Sequence, residues 1–148
     1  MIYILIAVLI FITEYIVKKY IEENKEMYKK EEILNGNIIL ERYHNKGAML
    51  NFMEDKAELV KKITVALVGV LIFLFAMLLP KKGNRVLKFA LALILGGALS
   101  NVHDRLIRGY VVDYFSFKFL KKIIFNISDI CIFLGSALIT LLSIFKKD

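Results

Sequence analysis

Two aspartates, Asp113 and Asp129, stand among apolar residues near the last membrane-length segment of the chain. An ionised carboxylate close to a bilayer core is costly unless it is paired or protonated. Two carboxyl groups held a few ångström apart share a proton, so one can activate water while the other donates to a carbonyl oxygen. Such a pair would hydrolyse a peptide bond without a metal. No single helix face holds both residues, so an ion or proton pathway stays open from the residues alone.

The neighbouring aspartate, Asp104, differs from these two because cations accompany it. Arg105 follows it directly, and Arg108 lies one helical turn further on. A structural salt bridge is therefore the favoured interpretation of Asp104. Asp113 and Asp129, by contrast, lack obvious counterions nearby in sequence, and Asn126 lies one turn before Asp129 on the same helical side.

Other reactive side chains do not form a recognisable site. The two histidines, His44 and His103, and the single Cys131 lack the spacing of a zinc site. Serines such as Ser100 and Ser128 lack a lysine or histidine base, which disfavours a serine nucleophile. We therefore expect no metal and no cofactor.

The composition places the chain in a membrane. Of its 148 residues, 58% are apolar, well above the roughly 45–50% of soluble domains. The net charge of +7 fits a membrane surface and its lipids better than nucleic acid, because no basic stripe is interleaved with aromatic residues. We expect a single domain over residues 1–148, and a monomer suffices for these features.

Four apolar segments predict an all-α membrane protein with four transmembrane helices, at about 1–18, 63–79, 86–103 and 123–145. Seventeen helical residues reach roughly 25 Å, slightly short of a hydrocarbon layer about 30 Å thick, so the first three helices should run past these limits. The first segment lacks the basic start of a secretory signal and is expected to be retained.

The first loop predicts a small extracellular β element over about 33–50. Residues 21–32 are dense in Glu and Lys and predict a solvated helical extension. Asn35-Gly36 is a turn signal, and the β-branched and aromatic run 37–43 predicts a strand after it. This element should rest on the membrane surface.

Basic residues orient the predicted helices. The segment 80–88 carries four of them, and Lys146 and Lys147 follow the fourth helix, so the positive-inside tendency makes both termini cytoplasmic. The basic cluster at 118–122 then falls on the outer face and fits the rule less well.

Three short motifs follow one another in a specific order: Asn45-x-Gly47-Ala48, then Gly96-Gly97-Ala98-x-x-Asn101-x-x-Asp104-Arg105-x-x-x-Gly109-x-Val111-x-Asp113, then Phe125-Asn126-x-x-Asp129. Together, on four apolar segments, they resemble the lipoprotein signal peptidase family, also called signal peptidase II. The resemblance implies an intramembrane aspartyl endopeptidase of the bacterial cytoplasmic membrane, with its site near the outer face. Its substrate would be a diacylglyceryl-modified prolipoprotein, cut just before the lipidated cysteine.

The resemblance also implies roles for individual residues. Asp113 and Asp129 fall on the catalytic pair. The residues that would shape the site or hold the peptide are Asn45, Gly47, Asn101, Asp104, Arg105 and Asn126, of which Asp104 and Arg105 would brace the site. Lys18 matches a lysine at the end of the first helix.

Three positions depart from the family pattern. Glu14 stands where the family usually has aspartate, Ser100 where it has glycine, and Ser128 where it has alanine. Serine is small enough to preserve close packing, and the Ser128 hydroxyl is expected to donate to the adjacent Asp129. None of the departures removes a proposed catalytic group.

Two rival functions remain at this point. One is a small ion- or proton-coupled transporter whose carboxylates bind a cation, and the other is a relative that binds lipoproteins without cleaving them. The Asn45 motif weighs against transport, which does not need it. The presence of both Asp113 and Asp129 weighs against loss of cleavage.

Overall fold

The computed structural model describes residues 1–48 and 52–145. Within them, four long helices occur: α1 (Ile2–Asn24), α2 (Ala57–Leu78), α3 (Arg85–Ile107) and α4 (Ile127–Phe145). Three strands accompany them: β1 (Glu31–Ile33), β2 (Ile38–Asn45) and β3 (Val111–Phe117). The expected combination of long helices with a small β element is confirmed. Lys146 and Lys147, and the end of the predicted loop at 49–50, lie outside the described residues.

Three helices of the described chain are long and apolar enough to cross a membrane: Glu54–Leu78, Arg85–Ile107 and Ile127–Phe145. The helix α1 is equally long but carries Glu14, Lys18 and Lys19. Glu14 and Lys18 are buried against the protein, so their charges face away from the surroundings of the helix. A fourth membrane span at α1 stays a prediction.

The helix α3 forms the centre of the bundle. Of its most apolar 18-residue stretch, 61% is buried, against 17% for α2 and 11% for α4. Glycines allow this burial: a Cβ on Gly96 would lie 2.8 Å from the Ala7 carbonyl oxygen, and one on Gly97 would lie 2.5 Å from that of Ser128. Gly96 and Gly97 therefore let α3 pack closely against α1 and α4.

The three strands form one antiparallel sheet in the order β1-β2-β3. The predicted strand at 37–43 is observed as Ile38–Asn45, and the predicted turn joins it to β1. Gly36 has φ +78°, a backbone conformation that glycine adopts at low cost.

The helical extension predicted over residues 21–32 is wrong. The helix α1 ends at Asn24, and Glu31 pairs with Leu40 in the sheet instead. The Arg42 guanidinium donates to the Glu22 carbonyl oxygen at 2.8 Å and satisfies one of the unpaired carbonyls that a helix end leaves. Contacts from a strand distant in sequence thus end a helix that the local charge pattern would continue.

The strand β3 has no counterpart in the sequence-based prediction. It joins the sheet because Asp113 lies opposite Tyr43 and Val111 opposite Asn45. The backbone of Phe125 then pairs with Phe115, with the Phe125 amide donating to the Phe115 carbonyl at 2.7 Å. The fourth helix consequently begins at Ile127, four residues later than predicted from the apolar run.

Candidate active site

Asp113 is the third residue of β3 and faces a cavity of about 550 Å³. Successive side chains of a strand point to opposite faces, so Val111 and Asp113 share the cavity face. The Asp113 side chain is almost fully buried, at 2% exposure, and its carboxylate accepts hydrogen bonds from Asn45 Nδ2 at 3.0 Å and Asn126 Nδ2 at 2.7 Å.

Asp129 reaches the same cavity from the first turn of α4. Asn126 immediately precedes this helix, and its Oδ1 accepts a hydrogen bond from the Asp129 amide at 2.9 Å. In return, Asp129 Oδ2 accepts from the Asn126 amide at 3.2 Å. This reciprocal arrangement is a capping box, which satisfies two amide groups that would otherwise be unpaired at the helix start. A negative charge is also favoured there by the helix dipole.

Asn126 connects the two carboxyl groups. Because its Oδ1 accepts from the Asp129 amide, its Nδ2 is the atom that donates to Asp113. One side chain therefore both caps the helix that carries Asp129 and binds the carboxylate of Asp113. We call Asp113 and Asp129 the carboxylate pair.

Lys18 orients a second amide toward the carboxylate pair. Its Nζ donates to Asn101 Oδ1 at 2.8 Å, which leaves Asn101 Nδ2 to donate to Asp129 Oδ1 at 2.9 Å. Lys18 also contacts Ser100 Oγ at 3.0 Å. The lysine is buried, yet it lies 3.0 Å from Asp104 Oδ2 and 3.4 Å from Glu14 Oε2, so its charge is compensated.

Asp104 and Arg105 brace different parts of the site. Asp104 pairs with Arg108 at 3.3 Å, as its sequence spacing indicates, and accepts from the Val112 amide at 3.2 Å, which ties α3 to β3. Arg105 was the other expected partner of Asp104, but its guanidinium instead donates to the carbonyl oxygens of Gly47, at 2.9 Å, and Asn101. The bound Gly47 carbonyl holds residues 46–48, directly after β2, beside the cavity.

Two buried polar atoms belong to residues that line the cavity. Within the described part of the chain, neither Asn45 Oδ1 nor Arg105 Nε has a hydrogen-bond partner, although both residues are more than nine-tenths buried. An unpaired buried polar atom is costly, so these atoms favour a ligand with its own donors and acceptors. A peptide backbone offers both.

Burial is the main cause that raises the pKa of Asp113, from its ordinary value of 3.8 to about 7, and the negative charge of Asp129 raises it further. Hydrogen bonds from Asn45 and Asn126 act in the opposite direction. Asp113 can therefore hold a proton near neutral pH while a second carboxyl group stands beside it.

The rest of the cavity wall is mostly apolar. Its apolar residues come from β3, from the segment after it and from α4, and include Phe117, Leu120, Ile124, Phe125, Ile130 and Phe133. The site can thus receive an apolar group next to two carboxyl groups. In residues 1–48 and 52–145, no three acidic, histidine or cysteine side chains cluster as metal ligands.

The structure brings every residue proposed from the sequence to one end of the bundle, but it corrects a second expected contact. The Ser128 hydroxyl donates to Glu14 Oε2 at 2.8 Å rather than to the adjacent Asp129. It does so because Ser128 faces α1, whereas Asp129 faces the cavity.

Tyr114 is the contributor that sequence reasoning missed. Its hydroxyl donates to Glu14 Oε1 at 2.5 Å and accepts from the Ile127 amide at 3.1 Å. The only sequence signal was its position next to Asp113 in a strand that was not predicted.

Comparisons with known proteins agree over nearly the whole chain. A family model described as signal peptidase (SPase) II matches residues 6–145. Lipoprotein signal peptidases from Lactobacillus johnsonii and Listeria welshimeri are 32% and 31% identical; the first match covers 99% of this chain and 94% of the relative, the second 100% and 96%. The relative from Shouchella clausii is 34% identical, covering 93% of this chain and 89% of its own.

A solved structure described as a bacterial membrane enzyme has the same fold. It superposes with a TM-score of 0.83 at 25% identity, and the match covers 99% of this chain and 92% of the other.

Proposed function

This chain belongs to the signal peptidase II family, and on that premise we propose that it removes signal peptides from bacterial prolipoproteins with Asp113 and Asp129 as its catalytic pair. The cut would fall just before the diacylglyceryl-modified cysteine. The observation that carries this proposal is the carboxylate pair itself: the buried carboxyl group of Asp113 and the partly buried one of Asp129 lie at one cavity and both bind Asn126.

The proposed reaction starts with one proton on the pair. Asp113 carries it, because its pKa is raised to about 7, and Asp129 is ionised at the positive end of α4. Asp129 takes a proton from water as the water oxygen bonds to the scissile carbonyl carbon. Asp113 simultaneously gives its proton to the carbonyl oxygen.

The tetrahedral intermediate then collapses. Asp129 returns its proton to the nitrogen of the cysteine, the carbon–nitrogen bond breaks, and Asp113 recovers a proton from the new carboxyl group. Exclusion of bulk water from the cavity strengthens the hydrogen bonds that hold both carboxyl groups during these steps.

Substrate binding would use the two unpaired polar atoms of Asn45 and Arg105, residues that line the cavity. Asn45 Oδ1 would accept from a peptide amide, and Arg105 Nε would donate to a peptide carbonyl. The apolar wall beside the pair would receive the diacylglyceryl group, which enters laterally from the lipid between helices. Asn101, Asn126, Lys18 and Glu14 would shape the site without contacting the peptide.

The proposed setting is the bacterial cytoplasmic membrane, crossed four times with both termini in the cytoplasm. The exposed apolar side chains of α1, which include Leu5, Leu9 and Ile16, support α1 as the fourth span because they would face lipid. The site and the three-stranded sheet would then lie at the outer face. One copy of the chain supplies all residues of the proposed site, so we propose a monomer.

The direct test uses the purified protein in detergent with a diacylglyceryl-modified prolipoprotein. Mass spectrometry should find a new amino terminus at the modified cysteine. The same prolipoprotein with an unmodified cysteine is the matched control and should be cut much more slowly. Failure of the folded protein to cut the modified substrate would contradict the proposal.

A further inference from the structure

Glu14 is a fully buried carboxylate that the proposed reaction does not use. Its exposure is 0%, and it lies in the middle of α1. An ionised carboxylate in such a place requires partners to offset its desolvation. Among the described residues, Glu14 contacts the Tyr114 hydroxyl at 2.5 Å, the Ser128 hydroxyl at 2.8 Å and Lys18 Nζ at 3.4 Å.

The two hydroxyl partners are the sequence neighbours of the carboxylate pair. Tyr114 directly follows Asp113, and Ser128 directly precedes Asp129. Each oxygen of Glu14 accepts from one of them, Oε1 from Tyr114 and Oε2 from Ser128. We call Glu14, Tyr114 and Ser128 the Glu14 junction.

The geometry of the strand and the helix explains why the junction lies behind the site. Tyr114 and Asp113 point to opposite faces of β3, so anchoring Tyr114 to α1 presents Asp113 to the cavity. Ser128 lies in the first turn of α4 and faces α1 while Asp129 faces the cavity. The described residues that line the cavity include neither Glu14 nor its two hydroxyl partners.

The Glu14 junction also links β3 to α4. The Tyr114 hydroxyl accepts from the Ile127 amide at 3.1 Å while it donates to Glu14. It thereby satisfies an amide at the start of α4, one of those that a helix leaves unpaired. The strand that carries Asp113 and the helix that carries Asp129 are thus joined at a single carboxylate of α1.

We infer that Glu14 is a positioning residue that sets the separation of Asp113 and Asp129 through the hydroxyl groups of Tyr114 and Ser128. This role rests on the proposed function of the carboxylate pair. Glu14 itself touches no substrate. Loss of either hydroxyl lets β3 or the start of α4 shift, so the two carboxyl groups share a proton less well.

The test removes one hydroxyl at a time, because truncating Glu14 itself would leave Lys18 poorly compensated and endanger folding. Ser128→Ala and Tyr114→Phe each keep the packing volume nearly unchanged. Each should lower kcat roughly tenfold, the size of one hydrogen bond to a charged group. KM should stay within about twofold, because uniform substrate binding is untouched.

The pH profile of the cleavage rate distinguishes a change in the separation of the carboxyl groups from a general loss of stability. Carboxyl groups that move apart share a proton less tightly, so the upper limb of the profile should move to lower pH in both variants. Matched controls are Ser143→Ala and Tyr20→Phe, two exposed positions away from the site, which should leave kcat and the profile unchanged.

A third control measures the effect of lost stability alone. Lys88 is buried near the start of α3, where its Nζ donates to the carbonyl oxygens of Leu79 and Lys81, about 20 Å along the helix from Asn101. Lys88→Met should lower the melting temperature while kcat of the folded fraction persists.

Three results decide the inference. The inference is supported if Ser128→Ala and Tyr114→Phe lower kcat, leave KM unchanged and shift the upper limb of the pH profile, while Lys88→Met changes neither kcat nor that limb. Wild-type kcat in both hydroxyl variants, or the same change of kcat in Lys88→Met, would overturn it while leaving the proposed function intact. Absence of cleavage by the folded wild type would instead remove the proposed function on which the inference rests.

Discussion

Asn126 and Asp129 bind each other twice at the start of α4: Asn126 Oδ1 accepts from the Asp129 amide at 2.9 Å, and Asp129 Oδ2 accepts from the Asn126 amide at 3.2 Å. This capping box fixes the Asn126 amide so that its Nδ2 faces Asp113. The contacts that start α4 therefore also align the two carboxyl groups. A motif of two polar residues, three positions apart, achieves both.

The first prediction removes the side chain that performs both tasks. Asn126→Ala takes a donor from Asp113 and the cap from α4, so kcat should fall roughly tenfold to a hundredfold. The loss of the cap should also lower the free energy of unfolding by about 1 kcal/mol. Asn24→Ala, at an exposed residue at the end of α1, is the control, and steady-state kinetics is the measurement. Wild-type kcat in Asn126→Ala would contradict the assigned role.

The second prediction concerns the buried cation. Lys18→Met leaves Glu14 and Asp104 buried without their shared partner, so the free energy of unfolding should fall by about 3–5 kcal/mol. Lys19→Met is the matched control, because Lys19 is exposed and only 3.8 Å from the exposed Glu23, a surface pair that contributes little. Chemical unfolding in detergent micelles measures both variants. Equal stability of the two would mean that Lys18 does not compensate the buried carboxylates.

The third prediction concerns pH. Burial and the charge of Asp129 raise the pKa of Asp113 to about 7, so its proton is bound below that pH and lost above it. The cleavage rate should therefore fall as the pH rises through about 7, because the shared proton disappears. A pH–rate profile measures this limb directly. A rate that keeps rising well above pH 7 would contradict a protonated Asp113.

The same shift predicts how stability depends on pH. The pKa of Asp113 is raised from 3.8 when the chain folds, so its contribution to stability is fully present below pH 3.8 and is lost as the pH rises through about 7. Asp113→Asn should remove this dependence. Unfolding curves of wild type and variant between these pH values should therefore differ in slope, and parallel curves would argue against the shift.

The fourth prediction concerns the contact between α3 and α4. A Cβ at position 97 would lie 2.5 Å from the Ser128 carbonyl oxygen, so Gly97→Ala must move backbone next to Asp129. We expect a loss of about 1–3 kcal/mol in the free energy of unfolding and a lower kcat. Gly69→Ala is the control, because a Cβ there meets nothing within 4 Å. If Gly97→Ala behaved like Gly69→Ala, the close approach would have no functional role.

The membrane-length helices could be predicted from the sequence because apolar composition over a long segment is a local property. The positions at which these helices end beside the cavity could not be predicted in this way. The helix α4 starts at Ile127 rather than near residue 123 because the Phe125 backbone pairs with Phe115, a contact that composition does not reveal. The strand around Asp113 was missed for the same reason, since it exists through pairing with β2.

The site residues were identified mainly through their resemblance to a family pattern, and the structure adds how they connect. Local charge spacing correctly paired Asp104 with Arg108. Charge spacing could not predict that the Ser128 hydroxyl donates to Glu14, because that hydrogen bond joins residues 114 positions apart. Contacts of this separation depend on how whole helices pack, which no local pattern specifies.

The central claim is that Asp113 and Asp129 together hydrolyse the peptide bond, and single amide variants test it most directly. Cleavage of a diacylglyceryl-modified prolipoprotein should fall at least about a hundredfold in Asp113→Asn and equally in Asp129→Asn, while both stay folded. Asp55→Asn, at an exposed aspartate before α2, should cut at the wild-type rate. Wild-type cleavage by either Asp113→Asn or Asp129→Asn would contradict the account.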